Sequence, residues 1–287
     1  EIFIPVDRHP IDAAIADGNF AISPQAREGH SLRPSIETLL HALMPQRFVV
    51  HLHPVDVVAH LARGNCRTDL QSALGDTFIW ELVDYYQPGA KLAQAIYMIL
   101  QQNPNIQVLL LKNHGVILGA NTLDEIDSNL KTLCERLSNP PRKLYSTSKD
   151  APSLLAATQD NANYRACSDA SLQCLAIDPE LYQRLEDSWA ICPDHVVFLG
   201  AQAARIDDAS NIQNAMTLAP HHPFIFIKNM GVLENRTVTN AQKAQLVFYL
   251  DVITRQPLGQ RLESLSHAEV TNLLGWDAEK YRLTLNQ

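Results

Sequence analysis

The stretch Phe48-Val-Val-His-Leu-His-Pro54, read together with Leu109-Leu-Leu-Lys-Asn-His-Gly-Val116, decides the fold. Both are short apolar runs that end in histidine, and both read as strands. Side chains at i and i+2 of a strand project from one face, so His51 and His53 present two imidazoles at one point in space. His114 ends the second run beside Gly115, which suits a strand end where the backbone turns sharply. Val49, Val50 and Leu52 make the first strand read as buried on both faces, where unpaired imidazoles would be costly. The three histidines therefore read as a metal site rather than as solvent-facing strand residues. Three neutral imidazoles suit zinc or another divalent transition metal and leave a coordination position open for water or substrate, whereas a purely structural zinc is normally closed by four ligands.

Outward from these strands the pattern alternates between apolar runs and helical segments, which predicts an α/β layered fold. A helix is expected over 35–44 behind Pro34, then the strand 48–53, and helices over 54–64 and 92–102, the latter introduced by Pro88-Gly89. The strand 107–111 runs into Asn113-His114-Gly115, and Thr122-Leu-Asp-Glu125 is a capping box that opens a helix to Leu137. Residues 138–175, with Pro140-Pro141 and many small polar residues, read as a linker carrying at most a short helix. The domains are accordingly 1–137, the linker 138–175, and 176–287.

The last of these repeats the first in outline. His195-Val-Val-Phe-Leu-Gly200 aligns with Phe48–His53 as a strand, Ile225-Phe-Ile-Lys-Asn-Met-Gly-Val232 aligns with Leu109–Val116, and Thr239-Asn-Ala-Gln242 is a second capping box before a helix over 240–254. In this alignment His51, His53 and His114 become Phe198, Gly200 and Met230, so the segment reads as a degenerate second α/β copy that keeps no metal ligand, the other reading being a chance match between two α/β segments, which the shared Lys-Asn-x-Gly-Val turn disfavours.

Around the histidines, Glu37 is the candidate acid/base, carried on the helix that leads into the His51 strand. Its other reading is a helix-flanking residue. His41 shares its helix face and is either a partner to the ligands or a packing residue. His60, His195, His221, His222 and His267 lack such company and read as structural or exposed.

The chain has 287 residues, 46% of them hydrophobic, and a net charge of -8 without a basic run, which excludes the electrostatic footprint of a nucleic-acid binder. No apolar stretch approaches the roughly 20 residues of a membrane span. The first residues lack a signal peptide's basic flank and apolar core, and the expected location is cytoplasmic. Five cysteines without C-x-x-C spacing suit reduced thiols, and Asn235-Arg-Thr237 reads as a chance sequon.

Taken in order, Pro34-Ser-Ile-Glu37, His41, Val-Val-His51-Leu-His53-Pro, Tyr86-Gln-Pro-Gly89 and Asn113-His114-Gly115 resemble the class II aldolase/adducin family over about residues 31–137. Within it the segment is similar to the rhamnulose-phosphate-aldolase-like domain of bifunctional aldolase/dehydrogenase proteins, as are Pro193-Asp-His-Val-Val-Phe and Gly275-Trp-Asp-Ala-Glu-Lys-Tyr281. The resemblance implies an α/β/α fold around a central, largely antiparallel sheet, zinc on His51, His53 and His114, and an acid/base or fourth-ligand role for Glu37. It implies cleavage of a ketose or ketose phosphate through a metal-stabilised enediolate, with Tyr86 or Tyr85 as proton donor to the aldehyde oxygen, Ser35 and Asn113 on the substrate, and a homo-oligomer. Epimerases, a sugar-phosphate dehydratase and the non-enzymatic scaffold adducin share the motif or the fold. Two departures bear on the substrate. The chain begins at Glu1-Ile-Phe-Ile-Pro, after the point of the family's Gly-Gly-Asn turn, so either the sequence is truncated or that phosphate site is lacking. Ile36 stands where many members have a serine.

Overall fold

A computed structural model describes residues 3–30, 32–144, 154, 156, 158, 161–218 and 222–277. The chain divides into two units, one of Glu1–Leu61 with Asn65–Ser138, the other of Ala62–Gly64 with Asn139–Gln287. The protein is mixed α/β with two four-stranded mixed sheets, one in each unit.

The first unit runs α1 (Arg8–Ala16), α2 (Thr38–Leu43), β1 (Phe48–Leu52), α3 (Val55–Leu61), α4 (Cys66–Leu74), β2 (Trp80–Val83), α5 (Ala90–Gln102), β3 (Val108–Leu111), β4 (Gly115–Ala120) and α6 (Leu123–Arg136). The sheet order is β1-β4-β3-β2, with β1 and β3 antiparallel to β4 and β2 parallel to β3. Its strands are apolar on both faces because both are covered. Val108 and Leu110 of β3 pack with Val57, Leu61, Leu70 and Leu133 of α3, α4 and α6. Leu109 and Leu111 pack on the opposite side with Ile11, Leu40, Leu92 and Ile96 of α1, α2 and α5. This is a three-layer α/β/α arrangement. The strand senses bring the C-terminal ends of β1, β2 and β3 to one end of the sheet, where His53, Tyr86 and His114 follow.

In the second unit come β5 (Tyr164–Ala166), α7 (Cys174–Ile177), α8 (Pro179–Asp187), α9 (Pro193–Leu199), β6 (Ala204–Ile206), α10 (Ile212–Leu218), β7 (Phe224–Ile227), β8 (Gly231–Asn235), α11 (Asn240–Thr254) and α12 (His267–Gly275). The order is β5-β8-β7-β6, with β5 and β7 antiparallel to β8 and β6 parallel to β7.

Two expectations are corrected here. His195–Gly200, predicted as a strand aligned with β1, lies in helix α9 and the residue that caps it. Pro193 opens this helix, where its fixed φ fits, and Gly200 closes it at φ 92°. Because α9 is buried on every side, its apolar run shows no helical period and mimics a buried strand. The segment expected as linker supplies the strand β5 and the buried residues Cys167, Leu172 and Cys174. His221 and Tyr281 lie outside the described residues. None of the five cysteines is in a disulfide. Asn235 of the sequon is 7% exposed and its Oδ1 accepts from the Thr237 amide at 3.0 Å, so it is a turn residue rather than an accessible acceptor. Among the described residues no helix is long and apolar enough to cross a membrane.

Candidate metal centre

β1 places His51 opposite Ile117 of β4, and His53 follows just beyond the strand end on the same face. The third imidazole arrives through the β3–β4 hairpin. There Asn113 takes the left-handed conformation at φ 53°, and the His114 amide closes the turn onto the Leu111 carbonyl at 3.1 Å. The sharp reversal thus falls on Asn113 rather than Gly115. Asparagine tolerates that conformation better than most residues with side chains. Gly115 is needed for another reason: a Cβ there would run into the His53 ring and would lie 2.5 Å from the Leu52 carbonyl oxygen.

The rings of His51, His53 and His114 converge, with centroids 4.8, 4.9 and 5.1 Å apart. One ring nitrogen from each lies within 4.8 Å of the others, and the Nε2 atoms of His51 and His53 face one another at 3.0 Å. His51 Nδ1 is 3.1 Å from the Val116 carbonyl. A carbonyl only accepts, so Nδ1 carries the hydrogen and the Nε2 lone pair points into the cluster. Nε2 atoms this close are unfavourable as two lone pairs and suitable as two ligands of one cation. The donor set fits a zinc-sized ion, whose tetrahedral nitrogen ligands stand about 3.3 Å apart.

Glu37 completes the cluster. It is the residue before α2, and the Ser35 hydroxyl accepts its amide hydrogen at 3.2 Å. Its carboxylate oxygens lie 3.2 Å from His114 Nε2 and 3.5 Å from His51 Nε2. Burial alone would raise its carboxyl pKa, but His114 foremost, then His51 and His53, outweigh burial and hold it well below the usual carboxylate range. Burial pushes His51 below the ordinary imidazole value, and Glu37 only partly opposes this. The Glu37 carboxylate is therefore ionised, and burial biases His51 toward the neutral form in which an imidazole ligates a metal.

The other expected residues lie around this cluster and beyond it. Ser35 is exposed and acts on Glu37 through its backbone amide. Asn113 is buried and shapes the hairpin. Tyr86 stands 41% exposed in the loop after β2, at the same end of the sheet. His41 Nδ1 lies 3.0 Å from the Val49 carbonyl and so ties α2 to β1, the packing role. His60 is buried with Nε2 3.1 Å from the Leu137 carbonyl, His195 is fully buried, and His267 is exposed. Sequence reasoning missed the Val116 carbonyl and the seating of His53 on Gly115. The only signal for the latter was a glycine directly after a ligand.

Residues 10–136 match the model of the family described as Class II Aldolase and Adducin N-terminal domain. Over 90 residues, 31% of this chain, the sequence is 34% identical to a Bacillus subtilis (strain 168) protein named uncharacterized oxidoreductase YuxG, and the match spans 13% of that protein. A solved N-terminal class II aldolase domain of a conserved protein from Thermoplasma acidophilum is similar at 21% identity over 44% of this chain and 62% of that one, with a TM-score of 0.37.

Proposed function

We propose that this chain, whose residues 10–136 form a class II aldolase-family domain, is a zinc-dependent lyase that cleaves a ketose or ketose phosphate by retro-aldol chemistry. The observation that carries the reading is the convergence of His51, His53 and His114 on one point with the ionised Glu37 carboxylate against two of them. When bound, the metal supplies Lewis-acid polarisation of the ketose carbonyl and its neighbouring hydroxyl. His51 on β1, His53 just beyond its end and His114 in the β3–β4 turn would hold it, so the ligands are fixed by the strands and their hairpin and need little ordering.

Glu37 moves a proton at the carbon next to the carbonyl. In the cleavage direction the hydroxyl on the departing carbon gives up its proton as the carbon–carbon bond breaks, the electron pair stays on the carbon next to the carbonyl, and the ionised Glu37 takes up that proton, returns it to this carbon and ends as the carboxylate. In the condensation direction the same carboxylate removes it. Tyr86 is assigned to carry the hydroxyl proton from the departing aldehyde, which the exposed loop after β2 would have to present. Ser35 and the Asn113 turn flank the substrate. Small-molecule sugars are the proposed partners, with a homo-oligomer as the working assembly.

Metal content should be measured by plasma mass spectrometry on protein purified without added metal or chelating resin. About one divalent ion per chain is expected, with aldehyde released from one or more ketoses or ketose phosphates. His51→Ala should lose metal and activity and keep its fold. Full activity in the metal-free variant would overturn the mechanism. Loss of substrate without aldehyde would direct the reading to epimerisation or dehydration, and absence of metal after zinc incubation would favour the scaffold.

A further inference from the structure

The two hairpins agree in more than outline. Leu111 pairs with Gly115 and Ile227 with Gly231. Asn113 at φ 53° and Asn229 at φ 63° are the non-glycine residues with positive φ among the described residues. The Lys112 amide donates to the Val83 carbonyl at 2.9 Å, and the Lys228 amide to the Ile206 carbonyl at 3.0 Å. The Asn113 amide reaches Leu61 O in α3, and the Asn229 amide reaches Ala176 O in α7. Strand order and sense also match throughout. A left-handed asparagine is uncommon, and its recurrence at one place in two identically connected sheets is hard to obtain from apolar strands meeting by chance.

Register then locates the second unit's counterpart of the metal centre. His51 faces Ile117, two residues after Gly115, and Ala166 faces Leu233, two residues after Gly231. The counterparts of His51, His53 and His114 are therefore Ala166, Ser168 and Met230, replacing the sequence-based match to Phe198 and Gly200. Ala166 and Met230 offer no strong ligand to a zinc-like ion, so the residues do not fit a metal.

Something else occupies the place. In the first unit the His53 ring lies where a Gly115 Cβ would stand, and in the second the Gln173 amide lies where a Gly231 Cβ would stand. Gln173 Nε2 donates to the Cys167 carbonyl at 2.8 Å, and Gln173 Oε1 accepts from the Val232 amide at 2.7 Å. This one side chain ties the end of β5 to the start of β8.

We infer that the second unit is a duplicated copy of the first in which Gln173 has closed the metal position and joins the strand ends in place of a metal and its ligands. The inference rests on reading His51, His53 and His114 as the ligands. It follows that the chain takes its metal in the first unit alone, and that Gln173 joins the strand ends at the corresponding place in the second.

Two measurements on the full chain test this. Hydrogen exchange should show the Val232 amide of Gln173→Ala exchanging about 10-fold faster or more, with first-unit amides unchanged. Gln173→Glu, which keeps the acceptor for Val232 and loses the donor to Cys167, guards against a variant that fails to fold and should show faster exchange at the end of β5. Unchanged exchange in folded variants would overturn the bridge. In equilibrium dialysis with zinc, the folded His51→Ala/His53→Ala protein should take up none, and an equivalent retained there would overturn the closed second site. Wild-type protein that takes no zinc would sink the proposed function while leaving the exchange result to judge Gln173.

Discussion

Gly115 shows how much of the site rests on a residue without a side chain. The His53 ring fills the space its Cβ would need, and its φ lies outside the left-handed region, so alanine is tolerated by the backbone and rejected by the neighbouring ligand. Gly115→Ala should therefore keep the fold and weaken zinc binding by about 10- to 100-fold, the range seen when groups that position a ligand are changed. Competition against a chelator of known affinity measures this, and unchanged affinity would mean that His53 does not ligate. The His51 and His53 imidazoles were legible as a pair because the period of a strand puts i and i+2 together, and His114 as a histidine ending a second apolar run. The reason for Gly115 was not, since it depends on a ring that arrives from another strand. Glu37 was legible as a carboxylate near the site, while its ionised state follows only from the three histidines placed around it.

Capping motifs were the most legible elements because four consecutive residues contain the whole interaction. Thr122 Oγ1 accepts from the Glu125 amide at 3.2 Å, and Glu125 Oε2 accepts from the Thr122 amide at 3.2 Å. The Thr239–Gln242 box is formed in the same way. Thr122→Ala should destabilise the protein by about 1 kcal/mol in urea denaturation and leave zinc affinity untouched. A loss of affinity would mean that α6 helps to set the β4 register beneath His51. The misread element is α9, whose surroundings rather than its own residues decide between helix and strand. Pro193 was the available clue, and it favours the first turn of a helix. β5 was missed for the opposite reason: three residues among small polar neighbours carry too little pattern, and only the pairing with β8 makes them a strand.

Composition and period could indicate a two-unit α/β chain, but not the contribution that one buried side chain of the second unit makes to its response to acid. The His195 ring is fully buried, with centroids 4.3 Å from Trp189 and 4.6 Å from Tyr249. Neither ring nitrogen has a hydrogen-bond partner among the described residues. Burial pushes its pKa down to about 3 from an ordinary 6.5. Between these values the unfolded chain holds a proton on His195 that the folded chain refuses, so stability falls as pH falls. The contribution is complete above 6.5 and is lost at up to about 1.4 kcal/mol per pH unit on the way to 3. Asp178 acts lower. Burial alone would raise its pKa, but hydrogen bonds led by Arg142 hold it below the ordinary 3.8 of an aspartate, so its contribution is lost only as pH falls below that. Glu234, held low by Lys243 and Arg165 against burial, begins to act near the bottom of the interval from pH 6.5 to 4, so His195 is isolated there by comparing two proteins that share Glu234. Denaturation of metal-free wild type and His195→Leu across that interval cancels the titration of the His51 cluster, which both proteins share. The wild type should lose stability more steeply, and parallel curves would show that His195 meets its proton equally well in the folded and unfolded chains.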